Sequence, residues 1–151
     1  MTTSEPLILA ALGSLADCWP AALPFTTLLD RSSSTAGVPA EQAVPRLRAI
    51  MLEAYVARVV QLQSTPPPVS AATGERPRAS ELARAQCAAG LPAVCSLLHV
   101  NARVDDELDR RLLTLLDGTR DRVALRRELS STGEQLERAL TRLSSLGLLH
   151  D

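Results

Sequence analysis

From Asp105 onward the apolar positions fall on one helical face. Leu108, Leu112 and Leu115/Leu116 recur at helical spacing behind Asp105 and Asp106, which predicts a helix with a carboxylate cap, stopped at Gly118 in the left-handed region. Thr119 is then expected to cap a short helix carrying Val123, Leu125 and Leu129, with Asp121 in its first turn, where the helix dipole favours negative charge. Thr132 followed by Gln135 fits a capping box, and it opens a third stripe of Leu136, Leu140, Leu143 and Leu146 that ends at Gly147. Leu148 and Leu149 follow as an apolar segment suited to strand pairing.

The first half repeats this plan more loosely. Its pattern predicts a helix over Leu7 to Ala16 capped by Ser4, a turn at Trp19-Pro20 and a short helix near Thr27 to Arg31. A Ser- and Gly-rich loop then leads to a helix from about Pro39 to Ala54, with Pro45 tolerated if the helix starts near Val44. Tyr55 to Gln63 is β-branched and reads as a strand. Between the halves, Ser64 to Ser80 breaks the periodicity with Pro66, Pro67, Pro68 and Pro77, as a linker or surface crossing does. Glu81 to Ala89 reads as an extra helix ended by Gly90, and Val94 to Val100 as a strand.

These readings give a mainly α chain with short β strands, of the α+β class, in two tandem units with the helix-helix-helix-strand order of a winged helix. The expected division is residues 1–63, a Pro-rich crossing over 64–80, and a second unit over 81–151 with an added helix and strand. Ala40-Glu41-Gln42 and Gly133-Glu134-Gln135, at the starts of the two third helices, share a local likeness.

Composition narrows the chemistry. Of 151 residues, 27 are Leu, 22 Ala and 10 Val, whereas Trp19, Phe25 and Tyr55 are the only aromatics. Three scattered rings build neither an aromatic cage nor a base-stacking surface. All 16 basic residues are Arg, which removes Schiff-base chemistry and a phosphate-loop lysine. The seven glycines are never closer than 14 residues, so no Gly-rich loop cradles a phosphate or a nucleotide cofactor. A net charge of −1 is not the footprint of a nucleic-acid binder. No membrane span or signal peptide is legible, and Cys18, Cys87 and Cys95 suit reduced thiols, so a soluble cytoplasmic protein is expected.

The Asp117-Gly118-Thr119-Arg120-Asp121-Arg122 turn is the sharpest local feature. Gly118 suits a positive φ, Thr119 a cap, and Asp121 a local ion pair with Arg120 or Arg122; the functional alternative is a polar loop that contacts a partner. His99 follows Cys87 and Cys95, but the spacing is poor for a structural metal site. On a strand Cys95 and His99 lie about 13 Å apart, so a buried or interfacial histidine is the better reading. Asp105, Asp106, Glu107 and Asp109 are explained by a helix N-terminus, and the serines at 32 to 34 have no histidine nearby.

The stretch from Glu75 to Leu129 resembles the C-terminal region of bacterial methyltransferases that carry a methyltransferase regulatory domain, including protein lysine methyltransferases directed at outer-membrane protein. The likeness rests on Arg76-Pro77, Leu82-Ala83-Arg84 with Gln86, His99, and Asp109 to Leu116 running into Asp117 to Arg122 and Leu125. The segment before it also looks like the corresponding part of that family. Cys95-Ser96 departs from a usual Thr-Asn pair, and Val104-Asp105 from Leu-Asp. The resemblance implies a non-catalytic accessory or protein-substrate-recognition module, with S-adenosylmethionine bound only by a catalytic domain that is missing from this chain and joins it in cis or in trans. His99 and the residues from Asp117 to Arg122 are the candidate interaction surface. A winged-helix DNA-binding regulator is the rival reading, but Arg138 and Arg142 are matched by Glu134 and Glu137, as Arg46 and Arg48 are by Glu41 and Glu53. A scaffold that dimerises through one Leu-rich helix is the third.

Overall fold

The computed structural model describes residues 5–70 and 74–150, and the chain divides into two compact units, residues 1–66 and 67–151. The first unit holds α1 (Pro6–Cys18), α2 (Phe25–Ala36) and α3 (Ala40–Val56). Leu7 and Ala11 face inward from α1, Leu28 from α2, and Ala43, Leu47 and Met51 from α3 at four-residue intervals. Leu15, Leu23, Leu29 and Ile50 flank this small core.

Several expectations change here. The cap expected at Ser4 lies outside the described residues; Glu5 is the N-cap and Pro6 opens α1, where its missing N–H costs nothing. The serines at 32 to 34 are helical, not a loop. Ser32 returns its hydroxyl to the Leu28 carbonyl at 2.6 Å, and α2 runs on to Gly37, whose φ of 65° supplies the left-handed cap. Pro45 is interior to α3, which starts at Ala40, so the Glu41 carbonyl loses its helical donor on an exposed face, where the loss costs least. Tyr55 to Gln63 forms no strand. Tyr55 and Val56 end α3, and the rest is turn and irregular chain, because among the described residues no neighbouring strand offers it an edge to pair with.

The second unit begins with α4 (Glu81–Ala88), whose cap Ser80 accepts from the Ala83 amide. A hairpin of β1 (Ala93–Cys95) and β2 (Asn101–Arg103) pairs Val94 with Ala102 in antiparallel register, and both are buried. Val94 to Val100 is therefore not one strand. The His99 amide donates to the Ser96 carbonyl at 3.0 Å, and the chain turns back with His99 at a φ of 57°.

Three helices complete the unit: α5 (Glu107–Leu115), α6 (Arg122–Leu129) and α7 (Gly133–Ser145). Asp106, rather than Asp105, caps α5 by accepting from the Leu108 and Asp109 amides. The expected capping box on α7 is present in both directions between Thr132 and Gln135. Leu112, Leu113, Leu116, Leu125, Leu136, Leu140 and Leu143 are at most 1% exposed and form the centre of the core with Leu148 and Leu149. Chain 78–80 is inserted between two other segments: Ala79 donates to the Leu116 carbonyl, Ser80 to that of Leu148, and His150 to that of Arg78. That insertion explains why α5 ends at Leu115 instead of continuing to Gly118. The Leu116 carbonyl is turned outward to the Ala79 amide, and Leu149 pairs with Ala79 as an isolated bridge.

Candidate interaction surface

The turn between α5 and α6 is organised by one carboxylate. Asp117 Oδ1 accepts from the Thr119 amide at 2.9 Å and from its hydroxyl at 2.5 Å, while Oδ2 accepts from Arg120 Nη1 at 2.7 Å. The Thr119 bonds foremost, with Arg120 beyond them, lower the Asp117 carboxyl from 3.8 to about 2. Arg120 also directs its Nε at both oxygens of Glu128, each at 3.1 Å. These carboxylates keep the guanidinium protonated.

Two local expectations are corrected by this geometry. Thr119 does not cap α6, because its amide and hydroxyl are already committed to Asp117; Asp121 is the cap, accepting from the Ala124 amide at 2.7 Å. Nor does Asp121 bridge to Arg120 or Arg122. Arg120 pairs with Asp117 and Glu128, and Arg122 with Glu137 of α7. Gly118 adopts a φ of 83° under the Arg78 side chain, whose Cδ would lie 3.6 Å from a Cβ at this position, in ordinary van der Waals contact. The six residues are thus a locked polar turn with Thr119 outermost.

His99 is exposed at the hairpin tip, not buried, because the reversal that its φ permits carries it away from the core. Cys87 is buried and donates to the Arg110 carbonyl at 3.5 Å, and burial pushes its thiol up, opposite to what a nucleophile needs. Among the described residues no group of three or more His, Cys, Asp or Glu side chains could hold a metal ion, and no helix is long and apolar enough to cross a membrane.

One arrangement was not read from the sequence. Asp109, in the first turn of α5, is only 6% exposed in its side chain and accepts from Arg142 Nε at 2.7 Å and Nη2 at 2.6 Å. This bidentate pair joins α5 to α7 and raises the Arg142 pKa. A signal for it existed: Asp109 lies three and four residues before Leu112 and Leu113, on the inward face. Beside it is a shallow groove of about 380 Å³ lined by Arg103, Asp105, Asp106, Asp109, Arg142 and Leu146, among others.

The same pairs bear on nucleic acid. Of the cations on α7, Arg138 is bridged to Glu134 and Arg142 to Asp109, while Glu137 takes Arg122, so the helix presents no one-sided positive field. The seven glycines lie on separate helices, turns and loops, so they assemble no Gly-rich loop of the kind that cradles a nucleotide cofactor.

Among curated proteins none matches the chain in sequence. Solved structures that share its fold include PKMT2 from Rickettsia typhi, at a TM-score of 0.76 over 95% of this chain, and the same protein in complex with AdoHcy, at 0.82 over 99%. Identity is 14% in both, and this chain spans about a third of their length, 34% and 35%. Residues 75–146 match the family described as PKMT, C-terminal winged helix domain, a span that starts before α4 and ends just past α7. With the α+β fold and its helical core in place, residues 75–146 are similar to the C-terminal winged helix domain of the PKMT family.

Proposed function

We propose that this chain is a non-catalytic accessory and protein-substrate-recognition module of an S-adenosylmethionine-dependent protein lysine methyltransferase, working in the cytoplasm with a catalytic domain joined in cis or in trans. The observation that carries the reading is the match of residues 75–146 to the PKMT winged helix domain. The scattered glycines, which form no Gly-rich cofactor loop, support assigning S-adenosylmethionine to the partner. The exposed hairpin tip at His99 and the turn from Asp117 to Arg122 form the surface offered to that partner or to its protein substrate. The internally paired geometry of the turn costs little ordering entropy on docking.

Calorimetry of the purified chain with S-adenosylmethionine is expected to give no binding heat, and micromolar affinity would overturn the proposal. Addition of the chain to its cognate catalytic domain is expected to raise kcat/KM for a protein methyl acceptor. An unchanged value would count equally against it. The DNA-binding alternative is tested by fluorescence anisotropy with random duplex at low salt, where a regulator binds and then loses affinity steeply as salt rises.

A further inference from the structure

The C-terminal segment of the second unit is held from two sides. On one side it pairs with chain 78–80, the Ser80 amide donating to the Leu148 carbonyl at 3.0 Å and the His150 amide to that of Arg78 at 2.8 Å. Backbone groups alternate along an extended chain, so the Leu149 carbonyl points the other way. There it meets Ser70, whose amide donates to it at 3.1 Å. The Ser70 carbonyl in turn accepts the buried hydroxyl of Ser144, from the last turn of α7, at 2.7 Å. Val69 beside it is only 4% exposed.

Three prolines deliver these two residues. Pro68, the next position that would face the same edge, has no amide to give, so the pairing starts at Ser70 and cannot extend backward. The fixed φ angles of Pro66, Pro67 and Pro68 hold the approach in shape before it docks, which lowers the entropy lost on docking. A γ-turn centred on Pro68, in which the Val69 amide donates to the Pro67 carbonyl at 2.8 Å, ends the run. The seat is separate from the main core. The contiguous cluster of the second unit runs from Ala79 through the leucines of α5, α6 and α7 to Leu148 and Leu149, and Val69 is buried outside it. Lifting Val69 and Ser70 therefore bares an edge and leaves the leucine cluster closed, which is the condition for a local opening distinct from global unfolding.

We infer that Val69 and Ser70 are a detachable latch. Closed, they cap the free edge of the C-terminal segment and seat the end of the Pro-rich run on α7; open, they bare the Leu149 carbonyl and the Ser144 hydroxyl and let go the chain that leads to the first unit. The device stands on the second unit's own geometry and is independent of the accessory role. Amide exchange of the full chain followed by nuclear magnetic resonance tests it. In the wild type the Ser70 amide should exchange about tenfold or more slower than an unstructured amide, yet about tenfold or more faster than the amides of Ser80 and Leu140. Val69→Asp, and more mildly Ser144→Ala, should move Ser70 toward the unstructured rate while Ser80 and Leu140 remain the slow ones and the circular dichroism spectrum is unchanged. Equal rates at Ser70 and Leu140 in the wild type would make the two residues part of one cooperative unit and overturn the inference. An unprotected Ser70 amide in the wild type would mean that no latch closes, and unfolding of the second unit in both variants would make Val69 and Ser70 integral to the core; either result overturns it as well.

Discussion

Arg142→Ala isolates the link between α5 and α7. The guanidinium is 47% exposed, but the carboxylate that it holds is only 6% exposed, so the substitution removes a half-solvated cation and strands a nearly buried anion. Breaking a fully buried pair costs about 3–5 kcal/mol, and exposed pairs contribute about 0–1. Two features reduce the figure here: solvent already screens Arg142, and Asp109 lies in the first turn of α5, where the helix dipole favours its charge. The expected loss is about 2 kcal/mol. Asp109→Asn, which removes the charge that needs a partner, should cost about 1 kcal/mol, and the double variant less than the sum of the singles. Urea unfolding followed by far-ultraviolet circular dichroism reads this directly. With a slope of about 1–1.5 kcal/mol per molar urea for a unit of this size, Arg142→Ala should lower the second unit's midpoint by about 1.5 M. Arg138→Ala is the control, since its bridge to Glu134 is exposed on both sides, and about 0.5 kcal/mol or less is expected. Equal midpoint shifts for Arg142→Ala and Arg138→Ala, or additivity in the Asp109/Arg142 cycle, would refute the reasoning.

Gly147→Ala should destabilise more than Gly118→Ala although both backbones are left-handed. A Cβ at 147 meets Leu98 Cγ and Cδ1 at 2.9 Å, whereas at 118 it has 3.6 Å to Arg78, so thermal melting should show a backbone cost of about 1–2 kcal/mol at 118 and a larger one at 147. Because the Asp117 carboxyl is lowered to about 2, its contribution to stability is fully present above pH 4 and is lost as pH falls toward 2. Melts between those pH values should fall more steeply in the wild type than in Asp117→Asn, and parallel curves would remove Asp117 as the titrating group. Leu140→Ala at the centre of the second unit's core should cost about 2–5 kcal/mol in equilibrium unfolding.

The sequence by itself determined the helices of the second unit and most of their ends, because those depend on neighbours in the chain. The stripe through Leu136, Leu140 and Leu143 and the reciprocal bonds of Thr132 and Gln135 are local consequences of helical geometry. What the tertiary structure alone decided is pairing across distance. Whether Val59 and Val60 extend or turn depends on a strand edge that none of the described residues offers, and whether α5 stops at Leu115 or Gly118 depends on an amide at Ala79. Thr119 lost its role as cap to a competition with Asp117 that only bond distances resolve. In the candidate surface the sequence supplied the six residues of the turn, but their partners Glu128 and Glu137 came from later helical turns, and Asp109 found Arg142 across 33 residues. Local propensity fixes which face a side chain occupies on its own element; which charge or edge meets it there is set by packing of the elements, whose contacts are non-local.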